Sequence, residues 1–346
     1  MMLKAVDIAK QLGISKVTVS LALNNKPGVS KATRKKILEC AYQMENSTKS
    51  PDPNPSNIPV PSRNIIKVVA PLTGLNLVQS PEPDLLPDFT VPLERTANHL
   101  GYRLEITFPD IRSKSIRDVV EECNHSPAVG IIIFASELSG EEIQYFQGIH
   151  KPVVLYDNIS ETMAYSSVTI DNRNACRLAV DYLVQRGFRN IGYLAMTRNI
   201  FNYQERREGF LDAMAAHNLP CSKGHILHIG QETAEIYQKV KINWHKIHSF
   251  DAYIMESYHL SIGVIHALRD LNINIPQDVS LIGIDQLPSY LMGNCQLTTL
   301  KVPHENRAIL TMLLLDNEIR SPEAFKSRLI TNCIMMEGNS VKQKEA

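Results

Sequence analysis

The sequence predicts a three-helix head followed by an α/β body with parallel sheets. Three observations carry this. Near the start, Ala9, Gly13, Ser15 and Val19 have the spacing of a helix-turn-helix. From Ile65 onward, short β-branched runs alternate with amphipathic stretches. At 346 residues the chain is too long for one ordinary core.

The head follows in order. Ala9 is small enough for two helices to cross closely, Gly13 can take the left-handed backbone of a tight turn, and Ser15 can cap the next helix. Val19 and Leu23 then face inward, which leaves Lys16, Val17 and Ser20 on the face that such a motif presents to the major groove. Asn25-Lys26-Pro27-Gly28 is turn chemistry, and Ser30 caps a third helix whose apolar stripe is Ile37, Leu38, Ala41 and Met44. The whole chain is formally neutral, yet residues 1 to 50 hold nine Lys and Arg against three acids, an excess of six positive charges. A basic module joined to a body with another task fits that asymmetry.

The linker and body come next. Residues 46 to 63 carry Pro51, Pro53, Pro55, Pro59 and Pro61, a composition that cannot continue a helix and favours extended chain. In the body, 65–70, 103–108, 130–134, 153–156, 190–194, 252–255 and 279–284 read as strands. Residues 117–123, 177–185, 207–216, 262–271 and 308–315 read as helices between or after them. Parallel sheets covered on both faces place ligand sites at the carboxyl ends of their strands.

The chain resembles the LacI/GalR family of bacterial transcription regulators. Asp7-Ile8-Ala9, Gly13-Ile14-Ser15, Thr18-Val19-Ser20, Asn24-Asn25-Lys26-Pro27-Gly28-Val29-Ser30 and Thr33-Arg34-Lys35-Lys36-Ile37-Leu38 carry the likeness in the head. In the body it rests on Asp171-Asn172-Arg173, the Gly187–Tyr193 and Glu205–Phe210 segments, the run from Ile275 to Asp285, and Leu297–Leu300. The resemblance implies a two-lobed body similar to type I periplasmic binding proteins. It gives a DNA-binding domain at 1–46, a linker at 47–63 and an effector-binding and dimerisation domain at 64–346, with lobes of 64–157 plus 289–321 and of 158–288 plus 322–340. The chain is expected to cross between lobes near Tyr156–Asn158, Gln286–Pro288 and Ser321-Pro322.

Two departures stand out. Family members usually carry a short hinge helix with an Ala-Arg-x-Leu pattern in the linker, and this chain has none. Leu21 stands where the family commonly has an Arg that reads guanine; an apolar side chain there suits a thymine methyl.

The expected reading residues are therefore Ser15, Lys16, Val17, Thr18, Ser20, Leu21 and Asn24, on double-stranded operator DNA. By resemblance, Arg206 opens a helix aimed at the effector, Asp285 ends a strand on the facing wall, Asp157 lies at a lobe crossing and Ser257 follows another strand end. Phe201, Tyr203 and Tyr258 can stack on a sugar ring, so the expected effector is a small polar molecule, a sugar or derivative. The alternative is that Arg206 and Asp285 merely pair to hold the lobes together. The stretch from Leu72 to Phe89, with its Pro and acidic residues, does not resemble the family's usual pocket loop.

Other chemistry is weakly represented. Cys40, Cys123, Cys176, Cys221, Cys295 and Cys333 form no C-x-x-C pair, which favours reduced thiols over zinc or redox function. His225 with His228, and His245 with His248, lack a third ligand. No phosphate loop, dinucleotide fingerprint or nucleophile elbow is present, so neither an enzyme nor a cofactor is expected. No apolar run approaches the roughly twenty residues needed to span a bilayer, and Met1-Met2-Leu3-Lys4 leads straight into the helix-turn-helix. The expected protein is a cytoplasmic, homodimeric, ligand-responsive repressor. A solute-binding protein would share the body but would replace the basic head with a secretory signal.

Overall fold

The structure is a computed structural model that describes residues 9–10, 12–23, 28–30, 33, 36–37, 64–73, 86–162, 164–288, 291 and 295–344. Asn24, the linker and most of the stretch after Leu72 lie outside the described residues. The chain divides into two compact units, Met1–Val60 and Pro61–Ala346. In the first, the described elements include helix α1 (Lys16–Leu23).

The second unit is built on two six-stranded sheets. In chain order its elements are β1 (Ile65–Val69), α2 (Leu86–His99), β2 (Arg103–Thr107), α3 (Ile116–His125), β3 (Gly130–Phe134), α4 (Gly140–Tyr145), β4 (Val153–Tyr156) and β5 (Ser166–Ile170). Then come α5 (Asn172–Gln185), β6 (Ile191–Met196), α6 (Phe201–Ala216), β7 (Ile226–Gly230), α7 (Thr233–Ile247), β8 (Ala252–Met255), α8 (Tyr258–Asp270) and β9 (Ser280–Ile284). β10 (Thr298–Lys301), α9 (His304–Arg320), β11 (Arg328–Thr331) and β12 (Ile334–Met336) complete it. The first sheet has the order β11-β5-β4-β3-β1-β2 and is wholly parallel. The second, β12-β10-β9-β8-β6-β7, is parallel except for its edge strand β12.

Burial on both faces explains the near-continuous apolar runs. Ile132 and Val154 face one core of the first sheet with Leu93 of α2 and Met312 and Leu315 of α9, while Ile131, Ile133, Val153 and Leu155 face another with Val119 of α3. Each of these large side chains, removed from water, contributes about 1.5–3 kcal/mol. In the second sheet Tyr193, Ala195, Ile254 and Ile282 pack beneath α5 and α6, and Leu194, Met255 and Leu281 pack beneath α7 and α8. Helix starts are set by side-chain caps: Ser115 for α3, a Ser139–Glu142 capping box for α4, Asp171 for α5 and Ser257 for α8. Gly209 lets α6 cross α5 closely, because a Cβ there would lie 2.5 Å from the Arg173 Cα.

The lobe crossings fall later in the chain than the sequence reading expects. Residues 166–170 do not open the second lobe; β5 pairs with β4 through Val154 and Ser166. Nor does 289–321 belong wholly to the first lobe, since β10 pairs with β9, and α9 alone returns to pack on α2 and the first sheet. Residues 328–331, expected in the second lobe, form β11 beside β5. The crossings therefore follow Ile170, Lys301 and Thr331. The reason is physical: Ser-Ser-Val-Thr-Ile and Arg-Leu-Ile-Thr are short and half-polar, and parallel pairing with distant partners, rather than local composition, recruits them.

Candidate functional sites: the reading helix and the interlobe cavity

In the head, Gly13 has a φ of 64° and the Ile14 amide donates to the Ala9 carbonyl at 3.1 Å, closing the turn. The Thr18 amide donates to Ser15 Oγ at 3.1 Å, so Ser15 caps α1. Val19 and Ala22 are buried with Ala9 and Ile37 in a small core joined by Leu12, Ile14 and Val29. On the opposite side, Ser15, Lys16, Val17 and Ser20 are exposed, Val17 at 68%. Thr18 and Leu21 are half-buried. An apolar Val17 held in water is the residue type that a thymine methyl covers.

In the body, β4 and β9 are followed directly by Asp157 and Asp285. Both adopt left-handed backbone, with φ of 68° and 72°, unusual for residues with a side chain. Each is pinned by its amide: Asp157 donates to the Val168 carbonyl at 2.8 Å and Asp285 to that of Leu300 at 2.9 Å. Between them lies a cavity of about 110 Å³. The first lobe supplies Phe89, Phe134, Ser136, Tyr156, Asp157 and Arg307; the second supplies Ile200, Asn202, Tyr203, Arg206, Ser257, Tyr258, His259 and Asp285. Val302 and His304 line it at the second crossing.

A relay of buried polar groups crosses the cleft. Arg206 Nε donates to Asn172 Oδ1 at 2.8 Å, Asn172 Nδ2 to Asn202 Oδ1 at 2.8 Å, and Asn202 Nδ2 to Asp157 Oδ2 at 2.9 Å. Asp157 also accepts from Ser136 Oγ at 2.7 Å and pairs with Arg307, whose guanidinium lies 4.3 Å from the centre of the Tyr156 ring. Arg206 Nη1 donates to the Glu256 carbonyl at 2.8 Å. The Glu256 carboxylate, fully buried, is taken by Arg207 at 2.7 and 2.9 Å and by the Met196 amide at 2.7 Å. Burial pushes the Glu256 carboxyl up, against the pull of Arg207. Burial likewise raises the Tyr156 and Tyr203 hydroxyls, and holds the thiols of Cys176 and Cys333 up at about 12.

Six of the seven residues expected at the effector site line this cavity. Phe201 does not: it is half-buried, and its neighbours Ile200 and Asn202 face the space instead. Asp285 is not on the wall facing Arg206; β9 and α6 belong to one lobe, and it is Asp157 that stands opposite. Nor do Arg206 and Asp285 pair, because His304 Nε2 holds Asp285 Oδ1 at 2.8 Å. Arg206 lies in the second turn of its helix, which starts at Phe201. Sequence reasoning missed Arg307 and His304, which reach the cavity from the start of α9, and Asn202, whose only signal was its place between two aromatic residues. Among the described residues no cluster of His, Cys, Asp and Glu could hold a metal ion, and no helix is long and apolar enough to cross a membrane.

A helix-turn-helix with an exposed reading face and a two-lobed α/β body with an interlobe cavity define a ligand-responsive DNA-binding regulator. Comparison with known proteins agrees. Residues 5–46 match the family of bacterial regulatory proteins, lacI family, and residues 180–341 match the periplasmic binding protein-like domain. The chain is 23% identical to the probable HTH-type transcriptional repressor ExuR of Bacillus subtilis strain 168 over 340 residues, 97% of this chain and 98% of that protein. Among solved structures, a complex of the transcriptional regulator CelR with cellobiose is 18% identical, with a TM-score of 0.70 over 98% of this chain and 100% of that one. The lac repressor dimer bound to operator and the anti-inducer ONPF is 16% identical, with a TM-score of 0.67 over 99% and 100%. The chain belongs to the LacI/GalR family of transcriptional regulators.

Proposed function

We propose that this protein is a cytoplasmic homodimeric repressor whose grip on an operator is set by a small sugar-like molecule in the interlobe cavity. The observation that carries the reading is the cavity itself. It has an aromatic wall of Phe89, Phe134 and Tyr156 opposite a wall with a buried guanidinium, Arg206, and the Asn202–Asp157 bond spans the two. Aromatic faces suit the apolar side of a sugar ring, and charge-assisted bonds suit its hydroxyls. A ligand seated there touches both lobes at once, so it favours one arrangement of the lobes over another by its differential contacts. Two relatives support this by what they hold: cellobiose in one structure, operator DNA under a dimer in the other. On the DNA side, Lys16, Val17, Ser20 and Leu21 read bases, and Ser15 and Thr18 order the helix that presents them.

The test is a gel shift on DNA from upstream of its own gene, with cell-extract metabolites and a sugar panel as effectors. Arg206→Ala should keep operator binding and lose the effector response. An unchanged response in that variant would sink the site assignment.

A further inference from the structure

We infer that helix α1 reads pyrimidine C5-methyl groups as such, so that thymine and 5-methylcytosine are equivalent where Val17 and Leu21 face the operator, and cytosine methylation becomes a second signal that the protein senses. The inference rests on α1 being the reading helix, as proposed above. Residues four apart on a helix are neighbours, with about 5–6 Å between their Cβ atoms, so Lys16 and Ser20 form one stripe of α1 and Val17 and Leu21 the stripe beside it. One stripe is polar, the other wholly apolar. Val17 is 68% exposed and takes no part in the head's core of Ala9, Val19, Ala22 and Ile37. Its β-branch leaves essentially one rotamer in a helix, so it meets a base edge with little entropy to lose. Leu21 is half-buried, with its Cδ1 3.6 Å from the place where a Cβ on Gly28 would lie, and that contact with the turn after α1 steadies its side chain.

The hydroxyls at the start of the helix are engaged with one another. Ser15 Oγ and Thr18 Oγ1 share a hydrogen bond at 2.8 Å, and Ser15 Oγ also accepts from the Thr18 amide at 3.1 Å. Neither reaches into the apolar stripe as a reader. The chemistry of the major groove then fixes what Val17 and Leu21 distinguish, because thymine and cytosine differ there in an O4 acceptor against an N4 donor and in the C5 methyl. A side chain with no donor or acceptor cannot tell the oxygen from the amino group. It does register the methyl, whose burial is worth about fourfold in affinity. At these positions thymine and 5-methylcytosine therefore rank above uracil and cytosine.

The experiment starts from an operator selected by the full chain out of a random duplex pool. Deoxyuridine then replaces each thymine in turn, cytosine replaces it with and without C5 methylation, and competition gel shifts read the affinities. At least one thymine in each half-site should lose about fourfold on conversion to deoxyuridine, and cytosine placed there should gain about the same factor when methylated. Val17→Ala should erase the deoxyuridine penalty at one position and Leu21→Ala at a neighbouring one, each leaving the other penalty in place, a pattern that general damage to the head does not produce. Equal binding of thymine and deoxyuridine at every position, no gain from methylating cytosine, or a penalty that persists in both variants overturns the inference. If a site is selected and Lys16→Ala or Ser20→Ala relaxes it while methyl groups make no difference, α1 remains the reading helix and only this inference falls. If no site is selected, or the selected site is unchanged in both of those variants, the reading helix falls and this inference with it.

Discussion

The head and the body order their polar groups by different means. In the head, the hydrogen bond that starts α1 is local and exposed, from Thr18 to Ser15 three residues earlier, over a core of a few small side chains. In the body, the polar groups at the cavity are buried and joined across long stretches of chain: Arg207 to Glu256 over 49 residues, Arg307 to Asp157 over 150. A module that reads DNA needs its side chains in water until the groove replaces that water. A module that senses a small molecule needs charges held dry, so that one new contact changes the balance. Each module therefore fails in its own way when a polar group is removed.

The sharpest break of this contrast is Glu256→Ala. It leaves the Arg207 guanidinium without its carboxylate and the Met196 amide without its acceptor, where Glu256 is fully buried and the Arg207 side chain only 13% exposed. The body should lose about 3–5 kcal/mol of stability, the cost of an uncompensated buried charge. Urea unfolding followed by the single tryptophan, Trp244, which lies in the body, reads this directly. A loss below 1 kcal/mol would mean that the pair is not held as described.

Smaller effects are expected in the head, and on binding rather than folding. Lys16→Ala and Ser20→Ala should each lower discrimination for the operator by about 1–3 kcal/mol, while affinity for unrelated DNA changes less. Competition gel shifts at two salt concentrations separate the two, because the phosphate-driven share falls steeply with salt. Full discrimination in both variants would remove α1 from the reading role. Least of all, Ser15→Ala should cost about 1 kcal/mol through the lost cap, seen as lower head stability with the body transition unmoved.

Much of this contrast is legible before the structure. The head's turn needs Gly13 and Ser15 at fixed offsets, a local requirement that leaves a local signature. The body's strand ends are equally legible, because Val279 to Ile284 is a buried apolar run and Asp285 must follow it. Asp157, Ser257 and Asp285 follow such strands, and the resemblance to the family points to Arg206; with Tyr203 and Tyr258 they line one cavity. His304 and Arg307 carry no such signature. They enter the site only because α9 returns to the first lobe, and nothing in the residues around them specifies that return. β5, β11 and β12 escape for the same reason: they are short, and their pairing partners, not their composition, make them strands. The assignment of Asp285 to the facing wall went astray here too, since which lobe owns a strand is a matter of sheet order.

The three crossings between lobes bear on how the protein is made. The first sheet begins at Ile65 but is completed by β11, and the second is completed by β12, so both lobes wait for strands that lie beyond residue 327. During synthesis the head, whose described contacts all lie within its first forty residues, can condense as it leaves the ribosome. The body must stay as two open-edged sheets until β11 and β12 have been made. A ribosome that stalls after residue 320 releases a chain with a finished reading head and no finished sensor, and such a fragment would depend on chaperones in a way that the head alone would not.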